Sequence, residues 1–156
     1  MSTSLSRWYP TTVLAIAFLG FLDAVYLTIE HFTSFSLPCS ITHGCEVVTN
    51  SVYSEILGIP VALLGALYYV AILLGTYALL EFGRRDLLKW IAIATTAGFL
   101  FSAWFVYVQV FLIKAICQYC MISALTSTSL FIVSMIYLWK FKTSAPSPSP
   151  VATPGE

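Results

Sequence analysis

The chain has 156 residues, of which 59% are hydrophobic and only 9% are charged, and its mean hydropathy is +0.89. A soluble globular domain is about half apolar and about a quarter charged, so these values exclude a free-standing soluble protein and a disordered chain. Seven basic and seven acidic residues cancel, which leaves no net charge for binding nucleic acid. We therefore expect an integral membrane protein.

Four apolar stretches are long enough to cross a bilayer as helices, which takes about 20 residues each. They run over residues 11–29, 56–80, 90–113 and 115–139. A 26-residue polar stretch separates the first from the second, and the other connections are short. The predicted fold is an all-α membrane protein, a four-helix transmembrane bundle over residues 1–142. A disordered Pro/Ser-rich tail is predicted over residues 143–156.

Lysine and arginine are distributed unequally between the two sides of the membrane. With four crossings, the two termini and the turn between the second and third helices share one side. That side holds six of the seven basic residues, and Lys114 is alone on the other. The six are Arg7, Arg84, Arg85, Lys89, Lys140 and Lys142. Because basic residues accumulate on the cytoplasmic side, we expect a multi-pass cell-membrane protein with both termini in the cytoplasm and the first and third loops outside.

All four cysteines fall on the predicted extracytoplasmic side, where thiols meet an oxidising environment. Cys39 and Cys45 lie in the first loop as C-S-I-T-H-G-C, and Cys117 and Cys120 form C-Q-Y-C at the start of the fourth helix. Residues three apart share a helix face, so the two sulfurs of C-x-x-C can close a small disulfide ring. Cys117 is predicted in the first turn, where free N–H groups and the helix dipole favour a thiolate.

Two other interpretations of the cysteines stay open. A non-catalytic membrane scaffold with two structural disulfides also has an even number of cysteines. The second interpretation is a zinc site made of the four cysteines, or of three of them with His43. The spacing C-x5-C argues against it, because it is a poor metal-binding spacing. We predict a redox relay of two communicating dithiols and no metal site.

The segment from Cys45 to Gly65, C-E-V-V-T-N-S-V-Y-S-E-I-L-G-I-P-V-A-L-L-G, followed by C-Q-Y-C, resembles the bacterial and archaeal branch of the vitamin K epoxide reductase family. The specific part is the ordered set of a loop cysteine pair, Ser51, G-I-P and a late helical C-x-x-C. The separate DsbB family does similar chemistry but carries its C-x-x-C in the first outward loop. A DsbB-like oxidase with different cysteine roles is therefore the alternative.

The resemblance implies a bundle that holds a quinone near its outward end, with the first loop folded over it. It implies that the Cys120 thiolate reduces the quinone and that Cys117 exchanges with Cys45. By the same resemblance, Cys39 accepts electrons from a separate thioredoxin-fold dithiol protein of the DsbA type, and Ser51 helps to shape the site beneath the loop. The implied activity is that of a thiol:quinone oxidoreductase that supports disulfide-bond formation in exported proteins.

Two positions depart from the animal enzymes of this family. Those enzymes have an Asn in the second helix and a Tyr four residues after the second cysteine of C-x-x-C, both in contact with the ring oxygens. Here the region of the first reads Pro60–Val61, and Ala124 takes the second position. We therefore expect a ubiquinone or a menaquinone as the electron acceptor.

Asp23 lies inside the first predicted helix, six residues before its end. An acid in the membrane interior costs about 2.5–3.5 kcal/mol on insertion scales, and such residues commonly serve function. Two roles stay open for Asp23. It hydrogen-bonds the quinone or passes protons to it, or it is a buried acid bonded to a polar group between helices.

Overall fold

The computed structural model describes residues 8–33, 44–83 and 85–143. Within these ranges four helices are long and apolar enough to cross a membrane, which confirms the predicted all-α transmembrane bundle. The helices are α1 (Trp8–Thr33), the short α2 (Cys45–Thr49), α3 (Val61–Phe82), α4 (Arg85–Tyr107) and α5 (Gln118–Thr143). A 3₁₀ turn (Val52–Ser54) and a hairpin of strands β1 (Glu55–Ile56) and β2 (Ile59–Pro60) precede α3, and a π-helix (Val108–Ile113) continues α4.

Helix α3 begins five residues later than the predicted start at residue 56 because the chain first makes a tight hairpin. Leu57 and Gly58 both have positive φ angles, 55° and 76°, which interrupt a right-handed helix. Strands β1 and β2 then pair antiparallel, and Ile56 lies opposite Ile59. The hairpin keeps residues 55–60 at the end of the bundle instead of inside it.

Helix α5 also begins later than predicted, at Gln118 instead of residue 115. Lys114 ends the π-helix in the left-handed region, with a φ of 57°, and its N–H donates to the Gln109 carbonyl. Residues 115–117 are consequently non-helical. This change places Cys117 immediately before α5, whereas the sequence predicted it inside the first turn.

The four long helices form a closed ring in which α1 packs on α3, α3 on α4, α4 on α5, and α5 back on α1. Their inner faces share one buried apolar cluster that includes Val13, Ile72 and Leu130. Tyr9 and Tyr137 stack within it, with ring centroids 3.9 Å apart. In a bilayer the outward faces contact lipid, so packing of this kind, together with interhelical polar contacts, holds the helices together.

Cys45, Cys117 and Cys120 lie at one end of the bundle, which is called the cysteine end below. It is the end at which α1 and the π-helix finish and at which α3 and α5 start. Helix α2 lies there against the π-helix. Cys39 and the predicted tail after Thr143 lie outside the described residues.

Candidate redox site

Cys117 occupies the N-cap position of α5. Its carbonyl accepts the first intrahelical hydrogen bond, from the N–H of Met121 at 3.1 Å. Its sulfur accepts the N–H of Cys120 at 3.5 Å, the bond that a Ser or Asp side chain makes at an N-cap. The side chain is fully buried. A sulfur at this position lies at the positive end of the dipole of a 26-residue helix, which favours its thiolate.

The second thiol of the pair strengthens this effect. Cys117 and Cys120 are both free thiols, and the Cys120 S–H donates to the Cys117 sulfur. That hydrogen bond is the main reason that the pKa of Cys117 is lowered from its ordinary value. Backbone N–H groups of Cys120 and Tyr119 act in the same direction, whereas burial and the carboxylate of Asp23 oppose it. Cys117 is therefore the sulfur that ionises readily.

Helix α2 brings Cys45 against the start of α5. Cys45, Val48 and Cys117 form one buried cluster at the cysteine end. The approach depends on Gly44, because a Cβ there would lie 2.7 Å from the carbonyl oxygen and 2.8 Å from the nitrogen of Ile116. Backbone atoms cannot move aside as a side chain does, so only glycine permits this packing. Cys45 itself is disulfide-bonded.

Gln109 holds the Cys117 backbone from the π-helix. Its Oε1 accepts the Cys117 N–H at 3.0 Å, and the Gln109 side chain is fully buried. Single π-helical turns within α-helices are frequent at functional sites. Here the π-helix ends at Lys114, whose left-handed backbone turns the chain. The Gln109 side chain therefore lies beside Cys117, eight residues further along the chain.

A cavity of about 410 Å³ lies among the four long helices at the cysteine end, beneath α2. Its volume falls in the about 300–1,000 Å³ range of small-molecule sites, and most of its lining is apolar. Cys120 lines it, but Cys117 does not. Val61 and Ala124 also line it, so the two positions that depart from the animal enzymes face this cavity.

The two sulfurs of C-x-x-C thus differ in one respect. Cys117 belongs to the buried cluster that contains Cys45 and Cys120 packs against that cluster, but of the two only Cys120 also lines the apolar cavity. A dithiol in this position lies between a second cysteine and a space large enough for a flat apolar ring. The arrangement is suited to passing electrons from one side of the pair to the other.

Ser51 supports the loop from outside the cavity. Its hydroxyl donates to the Val48 carbonyl at 2.7 Å, and its own carbonyl accepts the Ser54 hydroxyl at 2.8 Å. Val48 and Ser54 line the cavity, whereas Ser51 does not. Ser51, at the end of α2, is therefore hydrogen-bonded to two residues that line the cavity but does not line it itself.

Asp23 is half-buried in α1, and its Oδ2 has no hydrogen-bond partner in the described part of the chain. It does not line the cavity. It is close enough to Cys117 and Cys120 to act on both sulfurs electrostatically.

Two residues at the site, Gln109 and Gly44, were not singled out from the sequence. Gln109 was detectable, because an amide inside an apolar span is expensive unless it is bonded. Gly44 precedes a cysteine in a loop, where nothing local marks it. His31, near the end of α1, lines the cavity, and its Nε2 lies 3.2 Å from Glu55 Oε1 on β1.

A helical membrane bundle with a reactive thiol pair, a third cysteine beside it and an apolar cavity is the architecture of a membrane thiol oxidoreductase. The comparison with known families agrees. The Vitamin K epoxide reductase family matches residues 11–135, and the chain belongs to this family.

A plant relative has the same class of activity in its name. Thiol-disulfide oxidoreductase LTO1 of Arabidopsis thaliana is 33% identical over 125 residues, which cover 73% of this chain and 32% of that protein. The chain spans about a third of the length of that relative.

Proposed function

We propose that this chain is a thiol:quinone oxidoreductase that oxidises a thioredoxin-fold dithiol protein of the DsbA type and reduces a quinone, and so supports disulfide-bond formation in exported proteins. The observation that carries the proposal is that the two sulfurs of the C-x-x-C pair have different surroundings. Cys117 packs with Cys45, and Cys120 lines the cavity.

Electrons enter through the first loop. Cys45 is disulfide-bonded while Cys117 and Cys120 are free thiols, which supports Cys39 as the partner of Cys45. A thiolate of the outside protein attacks the Cys39 sulfur, forms a mixed disulfide and releases the Cys45 thiolate. The second thiolate of that protein then attacks its own sulfur in the mixed disulfide, leaves as a disulfide and frees Cys39.

Electrons next pass from the loop to α5. The Cys45 thiolate attacks Cys117 of the Cys117–Cys120 disulfide, forms a Cys45–Cys117 bond and releases Cys120 as a thiolate. Cys39 then attacks Cys45, which restores the loop disulfide and frees Cys117. The low pKa of Cys117 makes it a good leaving group in this second step, because thiols of lower pKa leave faster.

The cavity suits a quinone, since a mostly apolar space of this size fits a planar ring and the start of its tail. When bound, a quinone supplies an acceptor for two electrons and two protons. Cys120 gives up its electrons from the cavity wall while Cys117 closes the disulfide with it. Asp23 is proposed to pass protons, because its Oδ2 has no hydrogen-bond partner in the described part of the chain and its carboxylate lies near both sulfurs. Ser51 is proposed to keep α2 over the cavity.

The membrane orientation is part of the proposal. Six of the seven basic residues lie on the side opposite the cysteine end by the order of the spans. By the positive-inside rule this puts both termini in the cytoplasm and the cysteine end outside. A dithiol partner secreted across the membrane then meets the first loop directly.

The purified protein in detergent provides the test. It is given a reduced thioredoxin-fold dithiol protein and a ubiquinone or a menaquinone, and quinol formation is followed by ultraviolet absorbance beside a Cys120→Ala variant. We expect quinol in the wild type and none in the variant. Folded protein that reduces none of the quinones, and whose disulfides resist mild reductant, would instead be a scaffold with structural disulfides.

Trapping experiments separate the two enzyme mechanisms. In Cys45→Ala, Cys39 is a lone thiol that can attack a partner protein whose own second cysteine has been replaced and whose remaining cysteine carries a small disulfide-linked leaving group. The leaving group departs as a thiol, and the mixed disulfide is expected to accumulate because neither protein keeps a second thiol beside it. Cys39→Ala removes the sulfur that meets the partner and serves as the matched control. A stable complex through Cys117 or Cys120 instead would assign the roles as in a DsbB-like oxidase.

A further inference from the structure

Two hydroxyl groups at the cavity have unsatisfied hydrogen-bonding capacity. Tyr68 on α3 and Ser127 on α5 both line the cavity. Their hydroxyls interact with each other, although neither Tyr68 Oη nor Ser127 Oγ makes a hydrogen bond of regular geometry in the described part of the chain. Both oxygens are shielded from solvent. Even when the two hydroxyls bond to each other, one of their two O–H donors is left without an acceptor in the described part of the chain, and a buried donor without a partner is costly.

The next residue along α3 shows the contrast. Tyr69 also lines the cavity, but its hydroxyl donates to the Ser123 carbonyl at 3.0 Å and lies 2.7 Å from Thr126 Oγ1. Its hydrogen-bonding capacity is used in joining α3 to α5. Among the residues that line the cavity within the described ranges, the buried polar atoms left without a partner are those of Tyr68 and Ser127.

The position of the Tyr68 phenol is determined by a neighbouring glycine. A Cβ at Gly98 on α4 would lie 2.5 Å from Tyr68 Cζ and 2.6 Å from Tyr68 Oη. The missing side chain therefore makes the space in which the phenol end of Tyr68 lies. A phenol held between helices in this way loses little freedom when it donates to a ligand.

The location also agrees with the dithiol chemistry. Ser127 follows Cys120 by seven residues on α5, which is two turns and about 10 Å along the axis, on the same face. Side chains on a helix lean toward its N-terminus, which for both α3 and α5 is the cysteine end. Cys120 and the two hydroxyls thus line the same cavity.

We infer that Tyr68, with Ser127 beside it, donates the hydrogen bond that holds a carbonyl oxygen of the quinone in this cavity. The inference rests on the proposed function. Tyr68 Oη donates to the quinone oxygen, and Ser127 Oγ accepts or donates as the second member of the pair. The donated bond orients the ring relative to Cys120 and withdraws charge from the ring as electrons arrive.

The test measures quinone binding without electron transfer. In the oxidised protein both cysteine pairs are disulfides, so a bound quinone cannot be reduced. The dissociation constants of a short-tailed ubiquinone and of menadione are measured by equilibrium dialysis in detergent. The carbonyl stretch of the bound, isotope-labelled ubiquinone is recorded by infrared difference spectroscopy, because a donated hydrogen bond lowers its frequency.

Tyr68→Phe is expected to weaken binding roughly tenfold, the loss of one hydrogen bond in a buried site, and to return the carbonyl band toward its unbonded position. Gly98→Ala keeps the hydroxyl but displaces the phenol, and should weaken binding of the same quinone in the same way. Tyr9→Phe is the matched control, because Tyr9 is a buried tyrosine 3.5 Å from Ser134 on α5, away from the cavity. It should leave both readouts unchanged.

The outcomes separate this inference from the function on which it rests. If the wild type binds and reduces quinone but Tyr68→Phe keeps the wild-type affinity and carbonyl band, the inference is overturned and the function stands. A lower melting temperature without quinone, with normal binding, would show that the two hydroxyls are only a structural pair, which also overturns it. If the wild type binds no quinone, the inference and the proposed function are both lost.

Discussion

The Oε1 atom of Gln109 accepts the backbone N–H of Cys117 at 3.0 Å, and both residues are fully buried. The bond crosses the short turn between the π-helix and α5, so the amide of one helix determines where the N-cap sulfur of the next one lies. The amide nitrogen of Gln109 has no partner in the described part of the chain. Gln109 is therefore a positioning residue for the reactive thiol.

Replacing Gln109 tests this positioning. Gln109→Leu leaves the Cys117 N–H buried and unpaired, which we expect to destabilise the protein by about 1–3 kcal/mol and to slow thiol exchange at Cys117. Thermal unfolding and the rate of disulfide exchange measure the two effects. Thr76→Val is the control, because the hydroxyl of buried Thr76 donates to the Ile72 carbonyl of its own helix at 2.7 Å. Equal losses in both variants would mean that Gln109 has no special relation to the thiol.

The pKa of Cys117 should respond to its neighbours in opposite directions. Cys120→Ala removes the S–H donor that is the largest cause of the lowered value, so the pKa should rise. Asp23→Asn removes a nearby negative charge that raises it, so the pKa should fall further. Thiolate absorbance against pH measures both shifts in a background with Cys39 and Cys45 replaced by Ser. Shifts of the same sign in the two variants would contradict this account of the site.

The same pKa makes stability depend on pH. Because the folded-state pKa of Cys117 is lowered from its ordinary value, its thiolate stabilises the folded protein, and this contribution is fully present above the ordinary pKa of the unfolded thiol. The contribution is lost as the pH falls through the folded-state pKa. In the background described above, the melting temperature should therefore fall over this window, and it should fall less in a Cys117→Ser variant. An identical pH dependence in the two proteins would rule out a stabilising thiolate.

Because Gly44 lies against the Ile116 backbone, a larger residue at position 44 should impair electron transfer from Cys45 to Cys117. Gly44→Ala forces α2 away from α5, so Cys45 should reach Cys117 less often. The measure is the yield of a Cys45–Cys117 disulfide that a mild oxidant, which takes up the two electrons and two protons of the two thiols, forms after Cys39 and Cys120 have been replaced by Ala. We expect a severalfold lower yield with Gly44→Ala.

Gly75→Ala is the control for this experiment. A Cβ at Gly75 would meet the nearest atom of Ile91 at 3.5 Å, an ordinary contact, so this variant should trap as well as the parent. A Gly44→Ala protein with an undiminished yield would show that the close packing of the loop is not needed for exchange.

Asp23→Asn distinguishes proton transfer from a structural role. If Asp23 passes protons, quinol formation should slow while exchange between Cys45 and Cys117 does not slow, since exchange needs no proton delivered to the cavity and a lower pKa of Cys117 favours its release. Stopped-flow measurement of the two steps separates them. A variant with lower thermal stability and normal rates of both steps would make Asp23 a buried structural acid.

Much of this architecture follows from local patterns in the chain. The number of spans follows from the length and hydropathy of each stretch, since a bilayer requires about 20 apolar residues whatever the rest of the protein does. The cysteine pairs follow from spacing alone. The start of α3 was predicted too early, because the apolar residues Ile56, Leu57 and Ile59 continue the hydrophobic pattern of the helix. The hairpin that they form instead depends on the positive φ angles of Leu57 and Gly58.

The sequence by itself determined the membrane class, the four helices and the two cysteine pairs, because hydropathy and residue spacing are properties of contiguous segments. Only the tertiary structure decided that Cys117 packs with Cys45 while Cys120 lines the cavity. It alone brought Gly44 to Ile116, Gln109 to Cys117 and Tyr68 to Ser127. These contacts join separate segments, and they depend on how helices, turns and individual side chains fill space together, which no local pattern records.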